Sequence, residues 1–80
     1  MLHRFIDPVK TGKLIAKEMK SHGLGSSALA RLLDVRPQTV SKYKSGTTLP
    51  STQQFYKLSQ IFNKPMDELI VPRKEFQKNM

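Results

Sequence analysis

Apolar residues recur along most of the chain at intervals of three and four positions, which is the spacing of a helix with one buried face. The clearest case is Phe55, Leu58 and Phe62, at positions i, i+3 and i+7. Four helices are predicted in this way, at about 8–22, 27–33, 37–45 and 52–62, and Pro65 opens a short fifth helix. No segment alternates apolar and polar residues long enough to predict a strand, so the predicted fold class is all-α.

Residues suited to helix ends separate these segments. Side chains of Asp and Ser accept hydrogen bonds from free N–H groups at a helix start, and glycine favours the left-handed backbone that ends one. The expected starts are Asp7 with Pro8, Ser26 or Ser27, Pro37, and a capping box of Ser51 and Gln54. The expected ends are Gly23, Asp34, Gly46 and Asn63. Phe5, Val9 and Leu32 are predicted to be buried with the other apolar residues.

Eighty residues fit one domain with a modest core. We predict a single domain over 1–80, with its core at about 8–71, an N-terminal extension at 1–7 and a polar, flexible tail at 72–80. The chain has no cysteine and no apolar run of the roughly 20 residues that span a bilayer. A cytoplasmic protein without a membrane segment is therefore expected.

Charge is the strongest feature of the composition. Fourteen Lys and Arg oppose six Asp and Glu, for a formal net charge of +8. The sequence pI is about 10.1, a range in which nucleic acid is the first partner to consider. Five basic residues and no acidic residue lie between Val35 and Met66, whereas a face that serves only solvation usually mixes both signs.

The acidic residues and histidines do not form a catalytic or metal-binding pattern. Only Asp67 and Glu68 are adjacent, and neighbouring residues on a helix point in different directions. His3 and His22 lie far apart in sequence, and there is no cysteine to complete a zinc site. We therefore predict no enzyme activity, no metal and no cofactor.

The helix predicted at 37–45 has a polar face opposite Val40 and Tyr43. Gln can pair with adenine, Lys and Arg with guanine, and a Thr methyl can touch the thymine methyl in the major groove. The same face could also be an ordinary solvated surface. The outward row consists of Gln38, Lys42 and Ser45, with Thr39 and Ser41 beside it.

An ordered set of small and apolar positions covers most of the chain. Its members are Leu29-Ala30, Val35, Val40-Ser41, Gly46, Pro50-Ser51, Leu58 and Asp67-Glu68-Leu69. In this order the set resembles the helix-turn-helix family of phage repressors and Cro-type regulators, the XRE-like class, over about 14–70. The resemblance implies a compact five-helix, lambda-repressor-like DNA-binding domain. Its second and third predicted helices would form the helix-turn-helix.

The resemblance also implies roles for individual side chains. Base edges would be read by Arg36, Gln38, Thr39, Ser41 and Lys42. Backbone phosphates would be held by Ser26, Ser27, Lys44, Ser45, Thr47 and Thr48. Four positions depart from the common pattern. Ser26 replaces Gln, Asp34 replaces Gly in the turn, and Lys44 and Ser45 replace a common pair of an acidic residue and a basic or amide residue. Asp tolerates the left-handed backbone better than most residues, so the turn is expected to survive.

One helix-turn-helix of this size contacts too few base pairs for useful discrimination, and dimers read two half-sites about 34 Å apart. We therefore expect a homodimer on a near-palindromic operator in double-stranded DNA, acting as a Cro-like repressor. The candidate dimer interface is Met66, Leu69, Ile70 and Val71, which could equally close the monomer core. An antitoxin or accessory protein of the same fold, which acts by binding another protein, remains the alternative.

Overall fold

The computed structural model describes the backbone of residues 2–76 and the side chains of residues 4–75. A one-turn helix, α1 (Leu2–Phe5), precedes four longer ones: α2 (Pro8–Ser21), α3 (Ser26–Leu33), α4 (Pro37–Ser45) and α5 (Thr52–Phe62). Two single 3₁₀ turns follow, at Met66–Glu68 and Lys74–Phe76. The all-α prediction and its four longer helices are confirmed.

The predicted fifth helix is wrong in kind, because the segment after Pro65 forms one 3₁₀ turn. Within this segment only Leu69 is fully buried. One turn is enough to place a single side chain, and so short a helix has little stability of its own.

The four longer helices all end in the same way. A residue with a left-handed backbone follows each helix, and the next N–H donates to the carbonyl five residues earlier, which is the Schellman ending. The left-handed residues are Gly23, Asp34, Gly46 and Asn63, with φ of 65°, 59°, 80° and 55°. The four bonds measure 2.8–3.0 Å and join Leu24 to Met19, Val35 to Ala30, Thr47 to Lys42, and Lys64 to Ser59.

Helix starts follow the predictions in part. The Lys10 N–H donates to the Asp7 carboxylate at 3.0 Å, and the Gln54 N–H donates to the Ser51 hydroxyl at 3.2 Å. The predicted cap of α3 at Ser26 or Ser27 is wrong, since the cap residue is Gly25. The Leu24 N–H still donates to the Met19 carbonyl at the end of α2. Helix α3 therefore begins directly after Leu24, with Gly25 as its cap residue.

One apolar core joins α2 to α5. Its buried residues are Ile15, Met19, Leu29, Ala30, Leu33, Val40, Tyr43, Phe55, Leu58, Phe62 and Leu69. Three residues predicted to be buried are about half exposed instead: Phe5 (48%), Val9 (49%) and Leu32 (55%). Leu32 misses the core because α3 directs Leu29, Ala30 and Leu33 inward.

The two ends of the chain pair with each other. Ile6 is buried and forms an isolated antiparallel bridge with Pro72. The Asp7 N–H donates to the Val71 carbonyl at 2.8 Å, and the Arg73 N–H donates to the Phe5 carbonyl at 2.7 Å. Residues 5–7 and 72–73 therefore belong to the ordered fold, which extends beyond the predicted core of 8–71. Of the predicted extension and tail, residues 1 and 77–80 lie outside the described residues.

Helices α2 and α4 approach until their backbones touch, at two glycines. A Cβ at Gly12 would overlap the Tyr43 carbonyl oxygen and lie 2.6 Å from the Lys44 carbonyl oxygen. At the end of α4, a Cβ at Gly46 would lie 2.7 Å from the Val9 Cα. No other residue type fits either position without moving α4 away from α2. The contact through the Val9 backbone also explains why the Val9 side chain remains exposed.

We expect Gly12→Ala to lower the free energy of unfolding by about 1–3 kcal/mol, the usual cost of overpacking. Helix propensity alone would predict the opposite, a gain of about 1 kcal/mol. Equilibrium unfolding in urea measures the change. Lys17→Ala is the control, because Lys17 is an exposed residue of the same helix, and it should change stability by less than about 0.5 kcal/mol. A Gly12→Ala protein as stable as the wild type would contradict the close approach.

Burial raises the pKa of the Tyr43 hydroxyl above its ordinary value. The unfolded chain therefore releases this proton first as the pH rises, so the free energy of unfolding should fall from about pH 10 upward. Tyr43→Phe should flatten this alkaline decline, as measured by urea unfolding between pH 8 and 11. Tyr56→Phe removes an exposed hydroxyl and is the control. If Tyr43→Phe and Tyr56→Phe changed the alkaline decline of the free energy of unfolding equally, burial of Tyr43 would not be its cause.

Candidate nucleic-acid interface

Helix α4 presents a polar face because only two of its side chains are anchored inward. Val40 is fully buried and Tyr43 is 6% exposed. On the other side lie the exposed side chains of Gln38, Ser41, Lys42 and Ser45, with Thr39 half-buried beside them. The structure thus brings together on one face most of the residues predicted to read bases.

The start of α4 leaves Arg36 available for a ligand. Arg36 is the cap residue of the helix, but no side chain makes a capping hydrogen bond there, and Pro37 occupies the first turn as predicted. The Arg36 side chain is exposed. Arg36 therefore places an exposed, positively charged side chain at the start of α4.

The turn after α4 uses two of the hydroxyls predicted to hold phosphates. The Ser45 hydroxyl donates to the Lys42 carbonyl at 3.2 Å and lies 2.7 Å from the Thr47 hydroxyl. Because Ser45 has one proton, Thr47 is the donor between the two hydroxyls when Ser45 donates to the carbonyl. Both hydroxyls therefore stabilise the turn. Thr48 is exposed, and no described residue bonds to its hydroxyl.

The start of α3 offers backbone groups to an anion. Gly25 has no side chain to cap the helix, and the first bond that its carbonyl accepts comes from the Leu29 N–H, at 3.0 Å. The N–H groups of Ser26 and Ser27 are thus left for a partner outside the protein fold, as is usual at a helix start. The Ser26 side chain is half-buried and that of Ser27 is exposed.

The five basic residues between Val35 and Met66 have two different environments in the structure. Lys64 Nζ lies 2.7 Å from the carboxylate of buried Glu18, and this hydrogen bond raises the pKa of Lys64. Lys57 Nζ lies 3.4 Å from the Leu33 carbonyl at the end of α3, where Gln54 Nε2 also points. These two lysines serve the fold. The basic residues that remain at α4 are Arg36, Lys42 and Lys44.

The candidate dimer residues have different environments. Leu69 is fully buried in the monomer core, which leaves no surface of this side chain for a second copy. Met66 and Ile70 pack against the core and are partly exposed, as is Val71. The carbonyl of Val71 accepts the bond from Asp7, and its N–H donates to the Thr11 hydroxyl at 3.0 Å.

Two residues near α4 were missed by the sequence predictions. Gly12 positions α4, and an isolated glycine within a helical pattern was the available signal. Arg73 lines a cleft beside the turn after α4, together with Thr47 and Thr48. The pattern of the chain carries no signal for Arg73, because its place depends on the pairing of the two chain ends.

Other kinds of site were also sought in the described part of the chain. It contains no group of three His, Cys, Asp or Glu residues that could bind a metal ion. None of its helices combines the length and the apolar character needed to cross a membrane.

Known proteins share this fold. The structure superimposes on a transcriptional regulator from Listeria innocua with a TM-score of 0.74 at 28% identity, over 88% of this chain and 62% of that one. The restriction-modification controller protein C.AhdI from Aeromonas hydrophila gives a TM-score of 0.72 at 25% identity, over 79% and 96% of the two chains. Hydroxypropylphosphonic acid epoxidase from S. wedmorenis gives 0.73 at 18% identity over 35% of its length, which is a likeness of fold alone.

The sequence comparisons agree with the structural ones. The endothelial differentiation-related factor 1 homolog of Gallus gallus is 32% identical over 57 residues, which are 71% of this chain and 38% of that protein. This chain therefore spans less than half the length of that relative. The sequence model of the helix-turn-helix family matches residues 15–69, more than half of the chain. The resemblance drawn from the sequence is confirmed, and the protein belongs to the helix-turn-helix family.

Proposed function

We propose that the protein is a transcriptional regulator that binds double-stranded DNA in a sequence-specific way, with α4 in the major groove. One observation carries this proposal. Helix α4 is anchored by two side chains, and its opposite face is exposed, polar and free of acidic residues. A helix of this kind fits the major groove of B-DNA, where base edges differ in their donors and acceptors.

The side chains at α4 match the chemistry of base edges. Gln38 can form two bonds with adenine, and Arg36 and Lys42 can donate to guanine. Thr39 and Ser41 add a methyl group and hydroxyls beside the same row. Because Gln38 and Lys42 are one turn apart on the exposed face, they can contact neighbouring base pairs.

Phosphate contacts would come from the two ends of the helix-turn-helix. At the start of α3, Ser26 and Ser27 offer hydroxyls and free N–H groups. After α4, Lys44 and Thr48 are the groups best placed to meet the DNA backbone. We give Ser45 and Thr47 a supporting part, since their hydroxyls bond to each other at 2.7 Å.

We further propose that the protein acts as a homodimer on a near-palindromic operator and represses transcription by occupying it. The small footprint of one helix-turn-helix supports a dimer, because two copies read twice the sequence. Met66, Ile70 and Val71 remain the candidate interface, without Leu69. The similar proteins from Listeria innocua and Aeromonas hydrophila are a transcriptional regulator and a restriction-modification controller protein, which also supports a regulatory role.

Selection from a random pool of duplexes about 25 base pairs long tests this function. We expect an enriched symmetric motif whose half-sites lie about one helical turn, 34 Å, apart. Sequencing of the bound fraction at physiological salt reveals the motif. Binding without any enriched sequence would contradict sequence-specific regulation, and it would favour the alternative role in binding another protein.

Gln38→Ala and Lys42→Ala should each weaken binding to the selected duplex by about 1–3 kcal/mol and relax the preference at one base pair. Each substitution removes a group that distinguishes bases. Lys44→Ala should instead weaken the selected and a random duplex by similar factors, because a phosphate contact does not depend on sequence. Titrations on both duplexes measure these changes. Gln60→Ala, in an exposed position on α5, is the control. Unchanged preference in Lys42→Ala would exclude α4 as the recognition helix.

A further inference from the structure

We propose that Arg73 and Thr48 together bind one backbone phosphate of DNA, in the cleft between the turn after α4 and the C-terminal segment. This inference rests on the proposed function, since it assumes that the exposed face of α4 meets DNA. It adds a residue that lies outside the 15–69 segment shared with the helix-turn-helix family.

Three hydrogen bonds hold the C-terminal segment beside the start of α2. The Asp7 N–H donates to the Val71 carbonyl, and the Val71 N–H donates to the Thr11 hydroxyl. The Arg73 N–H then donates to the Phe5 carbonyl at 2.7 Å. The backbone of Arg73 is thus fixed, although it lies only a few residues from the end of the described chain.

The same end of α2 touches the end of α4. Gly46, which terminates α4, packs on the backbone of Pro8 and Val9. The chain then continues through Thr47 and Thr48. Since the C-terminal segment and the turn after α4 both pack on the start of α2, Arg73 is brought next to that turn.

The two segments enclose a cleft of about 410 Å³. It is lined by Arg73, by Thr47 and Thr48, and by Pro8, Gly46 and Leu49. The cleft contains no acidic side chain among its lining residues. Arg73 is the one charged residue of this lining, so the cleft favours an anionic group.

The chemistry of the lining favours a phosphate. A guanidinium has five N–H donors in a planar fork, and two of them match two phosphate oxygens. The Thr48 hydroxyl supplies a further donor, because no described residue bonds to it. Thr47 is less suited to this task, since its hydroxyl already pairs with that of Ser45.

The position relative to α4 identifies the phosphate as part of the DNA backbone. When the start of a recognition helix reads base edges, its end and the residues beyond it lie near the sugar-phosphate backbone. The cleft begins at Gly46, directly after α4. A phosphate that flanks the reading site would therefore lie at Arg73, and it would help to fix the helix in the groove.

The salt dependence of DNA binding tests this site. Fluorescence anisotropy gives Kd for the selected duplex and for a random duplex, from about 50 to 200 mM salt. Arg73→Ala should weaken binding to both duplexes by about 5- to 20-fold and reduce the slope of log K against log salt by about 1 per protomer. Arg73→Lys should keep the slope, because the charge remains, and recover part of the affinity.

Thr48→Val gives a second test that leaves the charge and the Arg73 side chain intact. It should weaken binding by a few-fold without changing the salt slope, because the hydroxyl is neutral. If both groups hold the same phosphate, the double variant should lose less affinity than the product of the two single losses. These variants also cover the case in which Arg73→Ala destabilises the fold, which urea unfolding reveals.

Lys20→Ala is the control for charge alone. Lys20 is exposed and lies twelve residues after Pro8 on α2, about 18 Å along the helix axis. It should leave the slope nearly unchanged. The phosphate site would be excluded if Arg73→Ala left the slope of log K against log salt unchanged, or if Lys20→Ala reduced it equally. Either result would leave the proposed function intact. A wild-type protein that enriches no sequence from the random pool would instead overturn the proposed function.

Discussion

The contact between α2 and the end of α4 sets the position of the surface that we assign to DNA. At Gly12 the backbone of α2 faces the carbonyl groups of Tyr43 and Lys44, and at Gly46 the chain turns against the first residues of α2. Contacts between backbones cannot adjust by a change of rotamer, as contacts between side chains do. Helix α4 is therefore held firmly although only Val40 and Tyr43 anchor it in the core.

This arrangement frees the rest of α4 from a structural task. A helix held mainly by its own apolar residues needs a broad buried stripe, and fewer positions then remain for recognition. Here α4 is held in place by its contacts at the two glycines, by its two core side chains and by the hydroxyls of the turn that follows it. The exposed positions of α4 can thus consist of Gln, Ser, Thr and Lys, whose side chains are suited to hydrogen bonding with base edges.

The start of α2 also links the two ends of the chain to the turn after α4. Thr11 is fully buried, and its hydroxyl accepts a bond from the Val71 N–H. Gly12, the next residue, contacts α4. Two neighbouring residues of one helix therefore hold α4 and the C-terminal segment, and for this reason Arg73 lies near α4 although it is 28 or more residues away in sequence.

The sequence by itself determined the elements whose causes are local. The spacing of apolar residues predicted α2 to α5, and Asp7, Ser51, Gly23 and Asp34 marked helix ends through their own side chains or backbone preferences. Only the tertiary structure decided what depends on distant partners. It separated Lys57 and Lys64 from the basic residues at α4, since Leu33 and Glu18 bind them. It also placed Leu69 in the core and Arg73 beside α4, because such positions follow from packing between segments and leave no periodic signal in the chain.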